Sequence, residues 1–126
     1  MIFSILGSAT FGEMTGSLAG YGRARGSIET SLSSDGFALT IKILGRFDFS
    51  LHEPFQRAYE TQCKMGMTFI IDLYTTEYLD SSALGMLLLM RENLGGERSD
   101  IRLMGGSEQV RKTLKIARFH QLFPEA

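Results

Sequence analysis

Several features common in proteins are scarce in this chain of 126 residues. Cys63 is the single cysteine, which excludes an internal disulfide and any metal site built from several cysteines. A lone cysteine also suits the reduced interior of a cell. The formal net charge is only -1, so no overall basic field attracts nucleic acid or an anionic membrane. We therefore expect a cytoplasmic protein without direct contact to either.

Long apolar runs are also missing. The longest, ALGMLLLM at residues 83–90, falls well short of the roughly 20 residues that span a bilayer. The opening MIFSILG lacks the basic residues and the longer apolar run of a signal peptide. Hydrophobic residues make up 44% and charged residues 21%, which is the balance of a folded domain. The length fits a single core, and we expect a soluble protein.

Glycine is concentrated at the amino terminus. Residues 1–26 hold six of the fourteen glycines and show no sustained apolar period. The stretch GYGRARG at residues 20–26 is similar to a dinucleotide-binding loop, but its glycine spacing is wrong and no strand precedes it. We interpret residues 1–26 as a flexible, glycine-rich extension and residues 27–126 as the domain.

From Ser27 onward, apolar periodicity predicts secondary structure. The stretches SIETSLS and FALTIKILG alternate with period two around the turn SSDG, which indicates a β-hairpin. GMTFIIDLY is apolar on both faces, as in a covered strand, and IRLMG is a further short strand. Helices are expected to start near Ser50, Ser81 and Ser107. The order β-β-α-β-α-β-α predicts an α/β fold with a mixed sheet of about four strands.

The stretch YLDSSALGMLLLMREN, residues 78–93, opens an apolar helix on Asp80, Ser81 and Ser82. Asp and Ser are common helix caps, and this is the structural explanation. A helix amino terminus also favours a phosphate, so the same place suits a phosphorylated serine. Spacing alone does not decide between the two.

The helix that follows predicts two different sides. One side, which can cover the sheet, carries Leu84, Leu87, Leu88 and Arg91. Methionine adapts to varied partners, so a second side is interpreted as an open, partner-binding surface. That surface comprises Met86, Leu89, Met90 and Asn93. The alternative is that all of these residues belong to the core.

The whole stretch resembles the signature of STAS domains, and of bacterial anti-sigma factor antagonists in particular. The similarity covers about residues 27–124 and includes LGRFDF, TFIIDL and RFHQLFPE. Ala83 replaces a glycine that is common in the family. The run DSSALGMLLLMRE is most similar to the small single-domain antagonists of Gammaproteobacteria, and residues 1–26 have no counterpart in the family pattern.

This resemblance implies a STAS-like mixed sheet and a partner switch. The unphosphorylated protein would bind an anti-sigma factor that is also a serine kinase, or a related regulator. Phosphorylation would fall on Ser81, supported by Asp80 and Ser82, and would end the complex; a PP2C-type phosphatase would restore it. No cofactor is implied, and a weak homo-oligomer is left open.

Two rival functions are alternatives to the switch. Within the family, the chain could be a STAS scaffold or a transporter-associated subunit that is not phosphorylated. Outside it, Ser81 could form a hydrolase triad with Asp72 and either His52 or His120, but no G-x-S-x-G elbow surrounds the serine.

The remaining polar residues predict neither catalysis nor metal binding. His52 and His120 lack metal-ligand spacing, so we expect no metal site and no catalytic residue. A basic cluster on the last helix is interpreted as a solvated face, with an acidic partner as the alternative. Its members are Arg111, Lys112, Lys115 and Arg118.

Overall fold

The computed structural model describes residues 26–126, so the predicted extension lies outside the described residues except for Gly26. Five strands and three α-helices are described. The strands are Ser27–Leu32 (β1), Ala38–Phe47 (β2), Thr68–Asp72 (β3), Thr76–Leu79 (β4) and Ile101–Met104 (β5). The helices are His52–Glu60 (α1), Ser81–Asn93 (α2) and Glu108–Ile116 (α3).

The sheet is mixed and built around β2. Its order is β1-β2-β3-β5, with β1 antiparallel to β2 and the other neighbours parallel. The short strand β4 pairs in parallel with the end of β2. The predicted α/β fold with its hairpin and mixed sheet is confirmed. β4 was not predicted: its four residues TEYL lie between the expected strand GMTFIIDLY and the helix that starts near Ser81.

The core follows the predicted alternation. Leu39, Ile41 and Ile43 of β2 are almost fully buried, because the period of two places them on one face of the sheet. α1 covers this core with Phe55 and Tyr59, which are one helical turn apart. The other helices contribute further buried side chains: Ala83, Met86, Leu87 and Met90 from α2, and Val110 and Leu114 from α3.

Two helix boundaries are set by local backbone geometry. Ser50 does not cap the first helix, since Asp48 caps a 3-10 turn at Phe49–Leu51 and α1 begins only at His52. The last helix ends at Ile116, because Arg118 takes a left-handed conformation with φ of 60° that an α-helix does not allow.

The chain end after α3 returns to the sheet. The Leu103 N–H donates to the Pro124 carbonyl at 3.0 Å, and the Ala126 N–H donates to the Leu103 carbonyl at 2.9 Å. This pairing covers part of the outer edge of β5, which limits unwanted pairing with other chains.

Candidate functional site

Two strand ends lie side by side at one edge of the sheet. Phe47 of β2 is paired with Leu79 of β4 in parallel register, so the residues that follow them, Asp48 and Asp80, leave the sheet together. The local sequences are alike: FDFS follows one strand and LDSS the other. Each aspartate then caps the helical turn that comes next.

Asp80 is the N-cap of α2. Its Oδ1 accepts hydrogen bonds from the Ser82 N–H at 3.0 Å, the Ser82 hydroxyl at 2.6 Å and the Ala83 N–H at 3.2 Å. These bonds satisfy amides that a helix start leaves without intrahelical partners. Ser82 is therefore held as part of the cap, and Ser81 is the first residue of the helix. Asp80 and Ser82, the residues predicted to support Ser81, thus contact each other at the start of α2.

The Ser81 side chain takes no part in the cap of α2. Its side chain is exposed, and its hydroxyl makes no hydrogen bond to any residue between 26 and 126. The Asp80 carboxylate accepts from two helix amides, those of Ser82 and Ala83. The phosphorylation of Ser81 stays a prediction.

Asp48 repeats the arrangement of Asp80 almost bond for bond. Its Oδ1 accepts from the Ser50 N–H at 3.0 Å and from the Ser50 hydroxyl at 2.6 Å. Its Oδ2 accepts from Arg46 Nε at 3.2 Å. Partial burial works to raise the pKa of Asp48, but the hydrogen bonds from Ser50 and Arg46 outweigh it, so this pKa lies below its ordinary value.

Aromatic rings surround the Asp48 turn. The Arg46 guanidinium lies 4.2 Å from the centre of the Tyr78 ring, which links the two strand ends by a cation–π contact. Phe49, which takes the place in its turn that Ser81 takes in α2, is 64% exposed and stacks on His52 with ring centroids 4.9 Å apart. Arg46, Asp48 and Phe49 were absent from the predicted site. The repeated pattern Asp-x-Ser was the signal that could have identified them.

The predicted open side of α2 is wrong in two of its residues. Met86 and Met90 are 6% and 0% exposed, so they belong to the core. Leu88, which was predicted to cover the sheet, is 40% exposed, and Leu89 is 44% exposed. We call the outward side of α2 the switch face and define it by Ser81, Gly85, Leu88 and Leu89, which share one side at helical spacing. The partner-binding role of Leu89 stays a prediction.

Asn93 connects two helices. Its side-chain Nδ2 donates to the Tyr59 hydroxyl at 3.0 Å, which ties the end of α2 to α1. Burial raises the pKa of Tyr59, against the effect of this hydrogen bond. Asn93 is exposed, but its side-chain amide already makes this hydrogen bond within the domain. A partner that contacts Asn93 would therefore meet an amide that is already hydrogen-bonded.

The residues of the imagined hydrolase triad are not joined by hydrogen bonds. His52 stacks on Phe49, the Asp72 Oδ1 accepts from the Tyr74 N–H at 3.0 Å, and Ser81 bonds to neither. In the described part of the chain, no group of three His, Cys, Asp or Glu residues could hold a metal ion. Within residues 26–126, no helix is long and apolar enough to cross a membrane.

Solved structures share this fold. The chain is similar to the anti-sigma factor antagonist SpoIIAA in its unphosphorylated form, with a TM-score of 0.66, 20% identity and coverage of 79% of this chain and 88% of that one. It is also similar to an anti-sigma factor antagonist from Mycobacterium paratuberculosis, with a TM-score of 0.69, 16% identity and coverage of 82% and 86%. At these identities the likeness establishes a shared fold.

Sequence comparison then gives the family. Residues 30–124 match the family described as "Mlab, STAS domain", and the chain belongs to this STAS-domain family. A STAS-domain containing protein of Pseudomonas aeruginosa (strain UCBPP-PA14) is 52% identical over 91 residues, which cover 72% of this chain and 90% of the relative. The resemblance seen in the sequence is confirmed.

Proposed function

We propose that this protein is a partner-switching regulator of the anti-sigma factor antagonist kind. When unphosphorylated, it binds an anti-sigma factor that acts as a serine kinase, or a related regulator, through the switch face. Phosphorylation of Ser81 ends the complex, and a PP2C-type phosphatase restores it. The observation that carries the proposal is an exposed serine whose hydroxyl makes no hydrogen bond within residues 26–126, on a capped helix beside exposed leucines.

The charges around Ser81 explain why a phosphate would act as a switch. Asp80 is its neighbour in sequence, and Asp48 leaves the adjacent strand end. Asp48 is paired with Arg46, so the phosphate would add its charge of about -1.5 to -2 units at neutral pH chiefly to that of Asp80. A docked partner would then meet a concentrated negative charge next to an apolar contact, which costs desolvation and invites repulsion from any partner carboxylate.

The switch face also has a shape suited to close contact. A Cβ added to Gly85 would meet no described atom within 4 Å, so no packing inside the domain requires glycine there. Glycine in a helix interior costs stability relative to alanine. Gly85 therefore weakens the helix while it faces outward next to Leu88 and Leu89. A partner that approaches the helix backbone at this point would explain why glycine stands there.

The names of the structurally similar proteins support the proposal. SpoIIAA of Bacillus has a phosphorylated form, and its structure matches this chain with a TM-score of 0.55, 18% identity and coverage of 79% of this chain and 91% of that one. For this chain we propose the same kind of modification, a cytoplasmic location, and a regulatory rather than enzymatic role that needs no cofactor.

The proposal is tested by finding both the modification and the partner. Lysate of the host, supplied with ATP, should add one phosphate to the wild type, and peptide mapping by mass spectrometry should place it on Ser81. Affinity capture with wild type, Ser81→Ala and Ser81→Asp should recover a partner with the first two and little with the third.

Ser82 provides the matched control in the same experiment. Its hydroxyl is engaged with Asp80, so Ser82→Ala should leave phosphorylation of Ser81 intact. A phosphate found on Ser82 alone, or the same partner captured equally by all variants, would contradict the proposal and favour an unphosphorylated scaffold.

A further inference from the structure

A concave groove runs along α3, and none of the residues of the switch face lines it. It is bounded by α3, by β5 and by the chain end that pairs with β5. Its volume is about 870 Å³, which lies within the range of sites that hold ligands. Its floor is apolar and consists of Leu103, Leu114 and Phe123, each less than a tenth exposed.

The walls of the groove carry basic side chains. Arg111, Lys112 and Lys115 line it from α3, where spacings of three and four residues place them on one side of the helix. His120 lines it from the chain end. Residues 107–126 contain four Lys or Arg residues against two Glu residues, whereas the whole chain has a net charge of -1. The basic charge is therefore local.

These cations are not neutralised inside the domain. Within residues 26–126, Arg111, Lys112 and Lys115 make no ion pair or hydrogen bond through their side chains, although Glu108 and Glu125 line the same groove. Some basic residues elsewhere do form ion pairs: Arg46 pairs with Asp48, and Arg102 pairs with Asp100 at 2.9 Å. The groove thus offers several free positive charges above an apolar floor.

We infer that this groove docks an acidic peptide segment of a partner protein, with an apolar side chain of that segment seated over Leu114 and Phe123. Charge complementarity selects the acidic segment, since carboxylates would neutralise the free cations of α3. Concavity favours a peptide over a membrane, because a flat bilayer surface cannot enter a groove between a helix and a returning chain end. The volume exceeds what a single inorganic anion would fill.

This inference stands apart from the proposed switch. Phosphorylation of Ser81 concerns α2, whereas the groove residues belong to α3, β5 and the chain end. A groove-bound peptide could therefore anchor a partner whose other part reads the switch face, and each contact can fail without the other. The inference develops the alternative for this basic cluster, an acidic partner, rather than the predicted solvated face. Arg111, Lys112 and Lys115 line the groove, while Arg118 is not among the lining residues.

The test uses the full chain and a fluorescein-labelled peptide that alternates Glu and Leu, with a Lys and Leu peptide as the reverse-charge control. Fluorescence anisotropy should show binding of the acidic peptide only, and binding should weaken as salt is raised. The double variant Lys112→Glu with Lys115→Glu should weaken it by about tenfold or more. The matched control, Lys64→Glu with Arg98→Glu, changes the net charge equally at exposed positions outside the groove and should change the affinity less than about twofold.

The same experiments show where the peptide binds and whether the ligand is a peptide or a phospholipid surface. Amide shifts in a ¹H–¹⁵N spectrum titrated with the acidic peptide should concentrate in residues 111–115 and 120–125. Shifts centred on α2, or equal losses in the groove and control variants, would overturn the inference. So would binding to vesicles containing anionic phospholipid without binding to the peptide. Circular dichroism melts of both double variants verify that each remains folded.

Discussion

The two strand ends at the site are built alike but differ in the residue between the aspartate and the serine. After β2 and after β4, an aspartate caps a helical turn, and a serine two residues later returns its N–H and hydroxyl to that aspartate. Between them stands Phe49 in one turn and Ser81 in the other, both exposed. The cap therefore does not depend on which residue fills this position. Ser81 is free to serve another purpose, and we propose phosphorylation.

The same comparison shows why capping and switching did not have to compete. The sequence alone left open whether the serines cap the helix or take a phosphate, because serine suits both tasks. In the structure Asp80 and Ser82 form the cap, while the Ser81 hydroxyl makes no hydrogen bond within residues 26–126. A modification at Ser81 would leave the cap in place.

The largest expected effect comes from the buried side of α2, the helix that carries Ser81. Met90→Ala should lower the free energy of unfolding by about 2–5 kcal/mol, because it removes a fully buried side chain and leaves a cavity. Leu89→Ala, on the outward side, should change it by less than about 0.5 kcal/mol. Urea denaturation measures both, and equal losses would show that the two sides of α2 are misassigned.

The two caps can be compared directly. Asp80→Ala should lower the free energy of unfolding by about 1 kcal/mol, within the range for N-cap removal. Asp80→Asn should retain most of it, since asparagine is also a good cap. Asp48→Ala removes the corresponding cap together with the Arg46 contact, so its loss should be at least as large. No loss in either alanine variant would end the structural parallel between the turns.

Gly85→Ala should have a smaller effect with opposite signs on two measurements. The free energy of unfolding should rise by about 0.5–1 kcal/mol, because alanine restricts the unfolded chain and favours the helix. Affinity for the captured partner should fall, because a methyl group intrudes on the switch face. A more stable variant that binds the partner as wild type does would remove Gly85 from the interface.

The smallest expected effect is a difference in acid stability. The folded pKa of Asp48 lies below its unfolded value of about 3.8, so ionised Asp48 stabilises the fold above that pH range. This contribution is lost as pH falls through the folded pKa. Asp48→Asn should therefore show a shallower decline in unfolding free energy between roughly pH 5 and pH 2 than wild type. Identical slopes would mean that Asp48 is not stabilised as its hydrogen bonds indicate.

Sequence reasoning succeeded where apolar residues followed one clear period. In α1 the polar background leaves Phe55 and Tyr59 as a single apolar stripe, and both are buried as that spacing predicts. In β2 the alternation identified Leu39, Ile41 and Ile43 in the same way, whereas Phe37, predicted on the same face, lies before the strand and is 46% exposed. These elements define most of the fold.

Sequence reasoning failed in α2, where apolar residues occur on every side of the helix. From Ala83 to Met90, only Gly85 interrupts the apolar residues, so no period marks an inward side and tertiary packing decides. Met90 was placed outside and Leu88 inside for this reason. The role of Asp48 was missed for a different one: Ser50 is itself a good cap residue, and only the register of β2 with β4 shows that two aspartates stand at adjacent strand ends.

The account's central claim is that a phosphate on Ser81 alters recognition and leaves the domain standing. The most direct measurement is calorimetric titration of the captured partner with unphosphorylated and Ser81-phosphorylated protein, with a thermal melt of each. We predict a loss of affinity above about a hundredfold, equivalent to about 3 kcal/mol, and melting temperatures within a few degrees of one another. Equal affinities, or a phosphorylated domain that has lost its fold, would contradict the claim.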